Sequence, residues 1–235
     1  MFQRPHTKSP RALKKKYRFL RLPLTFDAEA LLAELTASGV DWMSAERWKW
    51  HMQTSVCILR AGKEGNRPGA CLVSGSGLDK PPLERLPTFR KVLDEAFPER
   101  VALAWVGLTP PGTRIFLHID NTSHWDEHHR IHVPLVTSPG ARMCVDGHFV
   151  HMPAGTAWLF NNGVPHGVLN DGPARIHLVM DLPDSKAMRA LLKKGEKVDG
   201  EPDPEALARL AEDPLSTLTP ERRGTTPYME DYLQQ

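Results

Sequence analysis

The sequence has 235 residues, of which 40% are hydrophobic and 25% charged, which is typical of a globular protein of one domain with appendages. Its formal charge of +2 does not favour nucleic acid or an acidic membrane as partner, and we predict that the local basic run 11–18 is a solvated arm. The three cysteines, Cys57, Cys71 and Cys144, lie far apart without a CxxC motif, which predicts reduced thiols and a cytoplasmic protein. No apolar run predicts export or membrane insertion.

The first hundred residues predict helices around a tryptophan-rich segment. Apolar residues at helical spacing predict a helix over 26–39, ended by Gly39, and a second helix over 81–98, ended by Pro98. Between them, Trp42, Trp48 and Trp50 are interpreted as packing anchors, with a substrate rim as the alternative. The glycine-rich residues 62–80 are predicted to form a loop.

From residue 101 onwards, the pattern changes to short β-rich runs separated by turn sequences such as PPG, SPG, DG, PAG and NNG. The predicted strands are 101–108, 113–119, 130–136, 141–146, 148–152, 156–160, 166–170 and 174–181. Eight short strands joined by tight turns indicate an antiparallel sandwich or barrel. Two more helices are predicted within 183–195 and 203–212.

The resulting organisation is one structural domain in three parts. Residues 1–100 are an arm and helices that pack on the barrel, 101–182 are the β core, and 183–235 are a helical and polar extension.

Side chains alternate between the two faces of a strand, and this alternation groups histidines and arginines together. The groups that share a face are Arg114, Phe116, His118 and Asp120; Arg130 and His132; and Arg175, His177, Val179 and Asp181. A strand facing water would instead carry lysine, glutamate and threonine. We therefore expect these faces to line a cavity suited to metal and carboxylate binding.

Three of these residues suit a metal. His118, Asp120 and the distal His166 offer two neutral imidazoles and one carboxylate, the set that occupies one face of an octahedral iron(II) and leaves the other positions open. Arg175 follows His166 by nine residues, and its planar fork can grip the carboxylate of a dicarboxylate cosubstrate.

Several ordered motifs extend this pattern. They are PG-x-x-I-x-x-H at 111–118, R-x-H-x-P-L at 130–135, Gly155, Phe160-Asn161 before His166, Asn170, and R-x-x-L at 175–178. Over roughly residues 101–182 the sequence resembles the aspartyl/asparaginyl β-hydroxylase family of Fe(II)/2-oxoglutarate oxygenases.

The resemblance implies a mainly β protein with flanking helices, built on a double-stranded β-helix (a cupin-like jelly roll). It implies Fe(II) bound by His118 and His166, with Asp120 kept as the third ligand, and 2-oxoglutarate paired with Arg175. Arg130 and His132 match a pair that faces the site near cosubstrate and substrate, without a choice between the two. The implied reaction uses dioxygen to hydroxylate a C–H bond of an amino acid, an amino-acid-derived small molecule or a peptide side chain, releasing succinate and CO2.

Two other functions stay open from the residues alone. A metal-dependent cupin of another class, such as an isomerase or a 2-oxoglutarate-independent dioxygenase, would not need Arg175. A non-catalytic binding barrel would not need the complete set of His118, Asp120 and His166.

The remaining residues of interest lie near these motifs. His124, His128 and His129 are interpreted as solvated loop residues, Trp125 as a lid over the substrate, and His177 as a contact beside Arg175.

Overall fold

The computed structural model describes residues 9–45, 50–51, 53–62 and 77–214. Trp48 and Cys71 lie outside these ranges. The α-helices of the described residues are α1 (Pro10–Lys14), α2 (Ala28–Ala37), α3 (Pro87–Glu95), α4 (Lys186–Leu192) and α5 (Pro204–Leu210), and 3₁₀ helices span Pro81–Arg85 and Ser123–Asp126. Within the same ranges, no helix is both long and apolar enough to cross a membrane.

The fold is built mainly from β-strands. They are β1 (Phe19–Thr25), β2 (Met43–Ser44), β3 (Ser55–Ala61), β4 (Leu78–Asp79), β5 (Leu103–Thr109), β6 (Arg114–His118), β7 (His128–Val136), β8 (Ala141–Val145), β9 (His148–His151), β10 (Thr156–Phe160), β11 (His166–Asn170), β12 (Arg175–Pro183), β13 (Glu196–Val198) and β14 (Glu201–Pro202). β5 to β12 correspond to the eight predicted strands.

Two antiparallel sheets result. The larger has the order β13-β1-β10-β7-β12-β5-β3-β2, with β4 paired to β3, and the smaller has the order β14-β9-β8-β11-β6. Consecutive strands from β5 to β12 mostly change sheet, so that β10-β7-β12-β5 face β9-β8-β11-β6. This is a double-stranded β-helix, as the sequence predicts.

The larger sheet is buried on both faces. On its outer face, Ile176, Leu178 and Met180 of β12 join a hydrophobic core with α2 and α3. On its inner face a second cluster, which includes Trp158, Phe160 and residues of β8 and β11, lies between the two sheets. The alternation predicted for β7 and β12 is therefore confirmed, since the apolar face packs on helices and the histidine face looks inward.

Turn chemistry fixes the register of the smaller sheet. Asp146 and Gly147 both adopt positive φ, 51° and 75°, between the paired residues Val145 and His148. Positive φ at both central residues matches the right-handed twist of a two-residue hairpin, which is why an Asp-Gly pair stands there.

The N-terminal hundred residues differ from the prediction in one respect: they contribute strands as well as helices. β3 pairs with β5 and is buried along its whole length, so its sequence SVCILRA lacks the alternation that marks a half-exposed strand. The helix predicted over 81–98 is two pieces, because Pro87 begins a new helix after the 3₁₀ turn.

The basic run 11–18 also departs from the prediction of a solvated arm. It includes α1 and leads into β1, and the side chain of Lys14 is 2% exposed.

Candidate active site

A cavity of about 440 Å³ opens between the two sheets. It brings together every residue that the sequence selected for the site: His118, Asp120, Trp125, Arg130, His132, His166, Arg175 and His177. The cavity has a metal end, which we define as His118, Asp120 and His166, and an inner end, which we define as His132, Arg175 and His177.

The metal end depends on the pairing of β6 with β11. His118 lies directly opposite His166, with their ring centroids 4.3 Å apart, and Asp120 follows the end of β6. One donor atom from each of the three residues lies within 4.8 Å of the others. Gly167 permits this approach, because a Cβ there would lie 2.6 Å from the carbonyl oxygen of Ile115.

A β-bulge in β6 corrects the predicted face of this strand. His118 pairs with His166 but Ile115 pairs with Val168, so β6 has one residue more than β11 over the same interval. Ile115 therefore lines the cavity with His118, and the prediction that Arg114 and Phe116 share the face of His118 is wrong. Arg114 instead donates to the carbonyl of Arg209 in α5.

Both histidines of the metal end present Nε2 to the cavity. Nδ1 of His118 bonds to the carbonyl of Phe116 at 2.8 Å, and Nδ1 of His166 bonds to the carbonyl of Val164 at 2.9 Å. Since a carbonyl only accepts, each Nδ1 carries the proton and each Nε2 offers a lone pair. Burial lowers the pKa of His118, and burial together with His118 lowers the pKa of His166 to about 3. Both rings are therefore neutral at neutral pH, as metal binding requires.

Asp120 is held by two neighbours. Nδ2 of Asn162 donates to Oδ2 of Asp120 at 2.7 Å, and Nη1 of Arg130 lies 3.6 Å from the same oxygen. His166 Nε2 is 3.9 Å from this oxygen as well. Asn162, in the turn before His166, thus orients the carboxylate of Asp120.

The side chain of Arg130 already binds other residues of the protein. Its guanidinium donates to both oxygens of Asp181 at 2.7 and 2.8 Å and lies between the rings of Trp105 and Trp125, 4.5 and 4.3 Å from their centroids. Burial alone would raise the pKa of Asp181, but Arg130 and His124 hold it well below its usual range. Arg130 thus positions groups around Asp120, and its predicted contact with cosubstrate or substrate stays a prediction.

The three histidines assigned to a solvated loop are buried. His124 bonds to Asp181 through Nε2 at 3.0 Å and stacks on His128 with ring centroids 4.1 Å apart, while His129 bonds to Asp184 at 2.8 Å. The assignment was wrong because β7 begins at His128 rather than at residue 130, and because His124 lies in the 3₁₀ helix that comes just before β7.

Trp125 is 1% exposed. Its ring lies between Lys14 and Arg130, with Lys14 Nζ 4.7 Å from its centroid. A ring packed between two cations is part of the fixed wall of the cavity, so the predicted lid is wrong although the residue does line the site.

The inner end has buried polar atoms without partners. Arg175 is 6% exposed, and its nearest polar contacts among the described residues are Thr109 Oγ1 at 3.3 Å and His177 Nδ1 at 3.0 Å. Burial lowers the pKa of Arg175 to about 9, and no carboxylate of the described chain opposes this. Since arginine only donates, His177 accepts at Nδ1 and carries its proton on Nε2, which is buried without a partner, as are both ring nitrogens of His132.

Sequence reasoning missed His51 and assigned Trp50 to packing, with a substrate rim as the alternative. His51 lies with its ring centroid 5.0 Å from that of His118, and Trp50 is 38% exposed at the cavity wall. Trp50 fits the substrate-rim alternative, whereas Trp42 packs against the outer core. The backbone of Trp50 accepts from Phe116 N at 3.0 Å, a long-range contact that no local pattern indicates.

Residues 70–184 match the model of the aspartyl/asparaginyl β-hydroxylase family. This part of the chain, which holds the candidate site, is therefore similar to that family. The match begins well before residue 101, where the sequence resemblance starts. It ends at residue 184, two residues after the resemblance ends. The match supports the family suggested by the sequence motifs and, with it, an Fe(II)- and 2-oxoglutarate-dependent hydroxylase. It favours this activity over the isomerase and binding-barrel alternatives.

Comparison with solved structures finds similar chains of low identity. A 2OG-Fe(II) oxygenase family oxidoreductase from Burkholderia pseudomallei has 16% identity and a TM-score of 0.48, covering 80% of this chain and 96% of its own. HygX from Streptomyces hygroscopicus, with nickel, 2-oxoglutarate and hygromycin B bound, has 16% identity and a TM-score of 0.45 over 81% and 95%. A Pseudomonas putida prolyl-4-hydroxylase has 21% identity and a TM-score of 0.43 over 72% and 95%. No curated protein matches the sequence.

Proposed function

We propose that this hydroxylase holds Fe(II) on His118, Asp120 and His166 and binds the distal carboxylate of 2-oxoglutarate at Arg175. The observation that carries the proposal is the contrast in hydrogen bonding along the cavity. The three metal-end side chains each bond to the chain through one atom and keep another for a ligand. The inner end keeps a buried guanidinium that no carboxylate of the described chain neutralises.

The donor set fits the metal. Two neutral imidazoles and one carboxylate suit iron(II) and leave the remaining positions for exchangeable ligands. The described residues place no cysteine in the cavity wall, which favours a hard or borderline ion over a thiolate-bound one. When bound, the iron activates dioxygen and couples the oxidative decarboxylation of 2-oxoglutarate to hydroxylation of a C–H bond.

The inner end fits a dicarboxylate. A carboxylate against Arg175 would remove the cost of an unpaired buried charge and raise the arginine pKa back towards its ordinary value. The Nε2–H of His177 and the unpartnered ring of His132 offer further polar contacts on the same wall. The residues of the chain therefore orient the cosubstrate from one end and exclude water around it, while the metal end fixes the other.

The proposed substrate is an amino acid, an amino-acid-derived small molecule or a peptide side chain. The exposed apolar side chains of Trp50 and Ile119, at 38% and 49%, flank the cavity and would contact the part of the substrate that stays outside. A cytoplasmic location is proposed as well, supported by the buried free thiols of Cys57 and Cys144.

The direct test is succinate formation from 2-oxoglutarate by purified protein with Fe(II), ascorbate and dioxygen. Amino acids and short peptides would be added in turn, and each would be scored by the increase in succinate over the substrate-free rate. Chelation of the iron should abolish turnover and re-addition of Fe(II) should restore it. Absence of succinate under every mixture, together with failure to bind Fe(II), would overturn the proposal.

A further inference from the structure

α1 reaches the metal end although it lies outside the segment that matches the family. Arg11 donates to the carbonyl of Thr122 at 2.9 Å and pairs with Asp126 at 3.2 Å, so α1 is fastened to the turn that follows Asp120. This places Lys14, on the last turn of α1, in the interior of the protein.

Lys14 has a specific partner there. Its Nζ donates to Oδ1 of Asn162 at 2.7 Å, and Nδ2 of the same amide donates to Oδ2 of Asp120 at 2.7 Å. The backbone adds a third bond, from Asp120 N to the carbonyl of Asn162 at 3.0 Å. A chain of hydrogen bonds thus runs from α1 to the carboxylate of the metal end.

The direction of this chain is fixed by chemistry. An ammonium only donates and a carboxylate only accepts, so the amide between them must turn its oxygen to Lys14 and its nitrogen to Asp120. Without the ammonium, the carboxylate still disfavours the flipped amide, but the amide oxygen loses the bond from Lys14 that holds it in place. Lys14 therefore reinforces the one amide orientation that donates to Asp120.

We propose that Lys14 is a positioning residue of the iron site, which acts through Asn162 to hold the Asp120 carboxylate in its metal-binding orientation. The N-terminal arm is then part of the active centre rather than an appendage. The inference rests on the proposed metal site, and it concerns a residue that never touches the metal or substrate. Outer partners of this kind commonly contribute about 10- to 100-fold to metal affinity.

The test is a Co(II) titration of the metal-free protein without dioxygen, followed by the visible absorption of the bound ion. Lys14→Met keeps the length and burial of the side chain but removes the donor, and its dissociation constant for Co(II) should rise about 10- to 100-fold. Lys16→Met, in the exposed part of the same run, is the matched control and should bind as the wild type does. Thermal unfolding of each metal-free variant separates loss of the fold from loss of the site.

A double-mutant cycle makes the test sharper. Asn162→Leu removes the amide that links the two residues, so adding Lys14→Met to it should weaken Co(II) binding no further. Independent, multiplying losses in the double variant would overturn the relay, as would wild-type affinity in folded Lys14→Met.

His166→Ala separates this inference from the proposed function. If His166→Ala loses Co(II) while Lys14→Met keeps wild-type affinity, the metal site stands and the role of Lys14 is wrong. If the wild-type protein binds no more Co(II) than His166→Ala does, the metal site itself fails and the relay fails with it.

Discussion

The two ends of the cavity carry the same kinds of side chain but differ in which polar atoms are hydrogen-bonded within the protein. At the metal end each histidine gives one nitrogen to a backbone carbonyl, and the carboxylate of Asp120 is held by Asn162. At the inner end Arg175 has only neutral neighbours among the described residues, and His132 has no hydrogen-bond partner. The first end is oriented by the protein before anything binds, whereas the second is satisfied only by a ligand. Substitutions should therefore separate metal binding from cosubstrate binding, and both from stability.

The largest effect is expected from His166→Ala. Loss of a ligand from the metal end should lower 2-oxoglutarate turnover by about a thousandfold or more, because a bound metal ion contributes several kcal/mol to such reactions. Metal content by elemental analysis and succinate formation measure the two consequences. His151→Ala is the control, since that ring lies outside the cavity wall, and turnover equal to wild type in His166→Ala would remove His166 from the site.

Arg175→Met should act on the inner end alone. Removing the partner of a buried carboxylate costs about 2–5 kcal/mol, so the dissociation constant for 2-oxoglutarate should rise on the order of 100-fold while Co(II) affinity stays constant. Calorimetric titration of the metal-loaded protein measures the first quantity. Arg142→Met, on β8 of the smaller sheet and bonded to Asp203, is the control. Equal losses of metal and cosubstrate affinity would contradict the division into two ends.

The same variant should not destabilise the ligand-free protein. A buried cation without a carboxylate opposes folding, so Arg175→Met should leave the free energy of unfolding unchanged or raise it. Urea unfolding without 2-oxoglutarate measures this, and a loss of several kcal/mol would mean that Arg175 is a structural residue.

Asp181→Asn should show the reverse behaviour, with a loss of stability. It removes the fully buried carboxylate that pairs with Arg130, whose side chain is 15% exposed, and this costs about 3–5 kcal/mol at neutral pH. Because the folded-state pKa of Asp181 is depressed, this contribution is present above its unfolded pKa of about 4 and is lost as the pH falls towards the folded value.

The difference between wild type and Asp181→Asn should therefore shrink when urea unfolding is repeated at progressively lower pH. Asp199→Asn is the matched control, since its carboxylate pairs with Arg18 but is 85% exposed, and it should change stability by less than about 0.5 kcal/mol. A difference that does not depend on pH would show that the charge of Asp181 is not what stabilises the fold.

The smallest effect is expected from Trp50→Ala. Trp50 flanks the cavity but belongs to neither end, so the affinities for Co(II) and for 2-oxoglutarate should each change by less than about threefold, under 1 kcal/mol. The same two titrations measure it. A tenfold change in either affinity would assign Trp50 to that end of the site.

Much of this arrangement could be predicted from the sequence because it depends on local patterns. The turn residues set the eight strands of the core, and alternation in β7 and β12 separated the inward histidines and arginines from the apolar face that packs on helices. The order of the motifs suggested the family whose model matches residues 70–184. The turn and alternation signals each lie within about ten residues of chain, where backbone geometry relates sequence directly to structure.

Alternation failed where an extra residue entered a strand. The bulge in β6 moved Ile115 to the face of His118, and only the pairing with β11 decides where that bulge lies. The burial of His124, His128 and His129 could not be predicted from the sequence either. Polar residues beside a turn have the composition of a loop, and only the packing around the start of β7 shows that they are buried.

By itself, the sequence determined the fold class and the set of side chains that share the cavity, because strand period and turn chemistry are local properties. Only the tertiary structure decided which of those side chains are hydrogen-bonded within the protein and which keep polar atoms for a ligand. Lys14 and Asp120 are more than a hundred residues apart, as are Trp50 and Arg175. Contacts over such separations follow from how two sheets and an N-terminal arm close on one another, which no local pattern encodes.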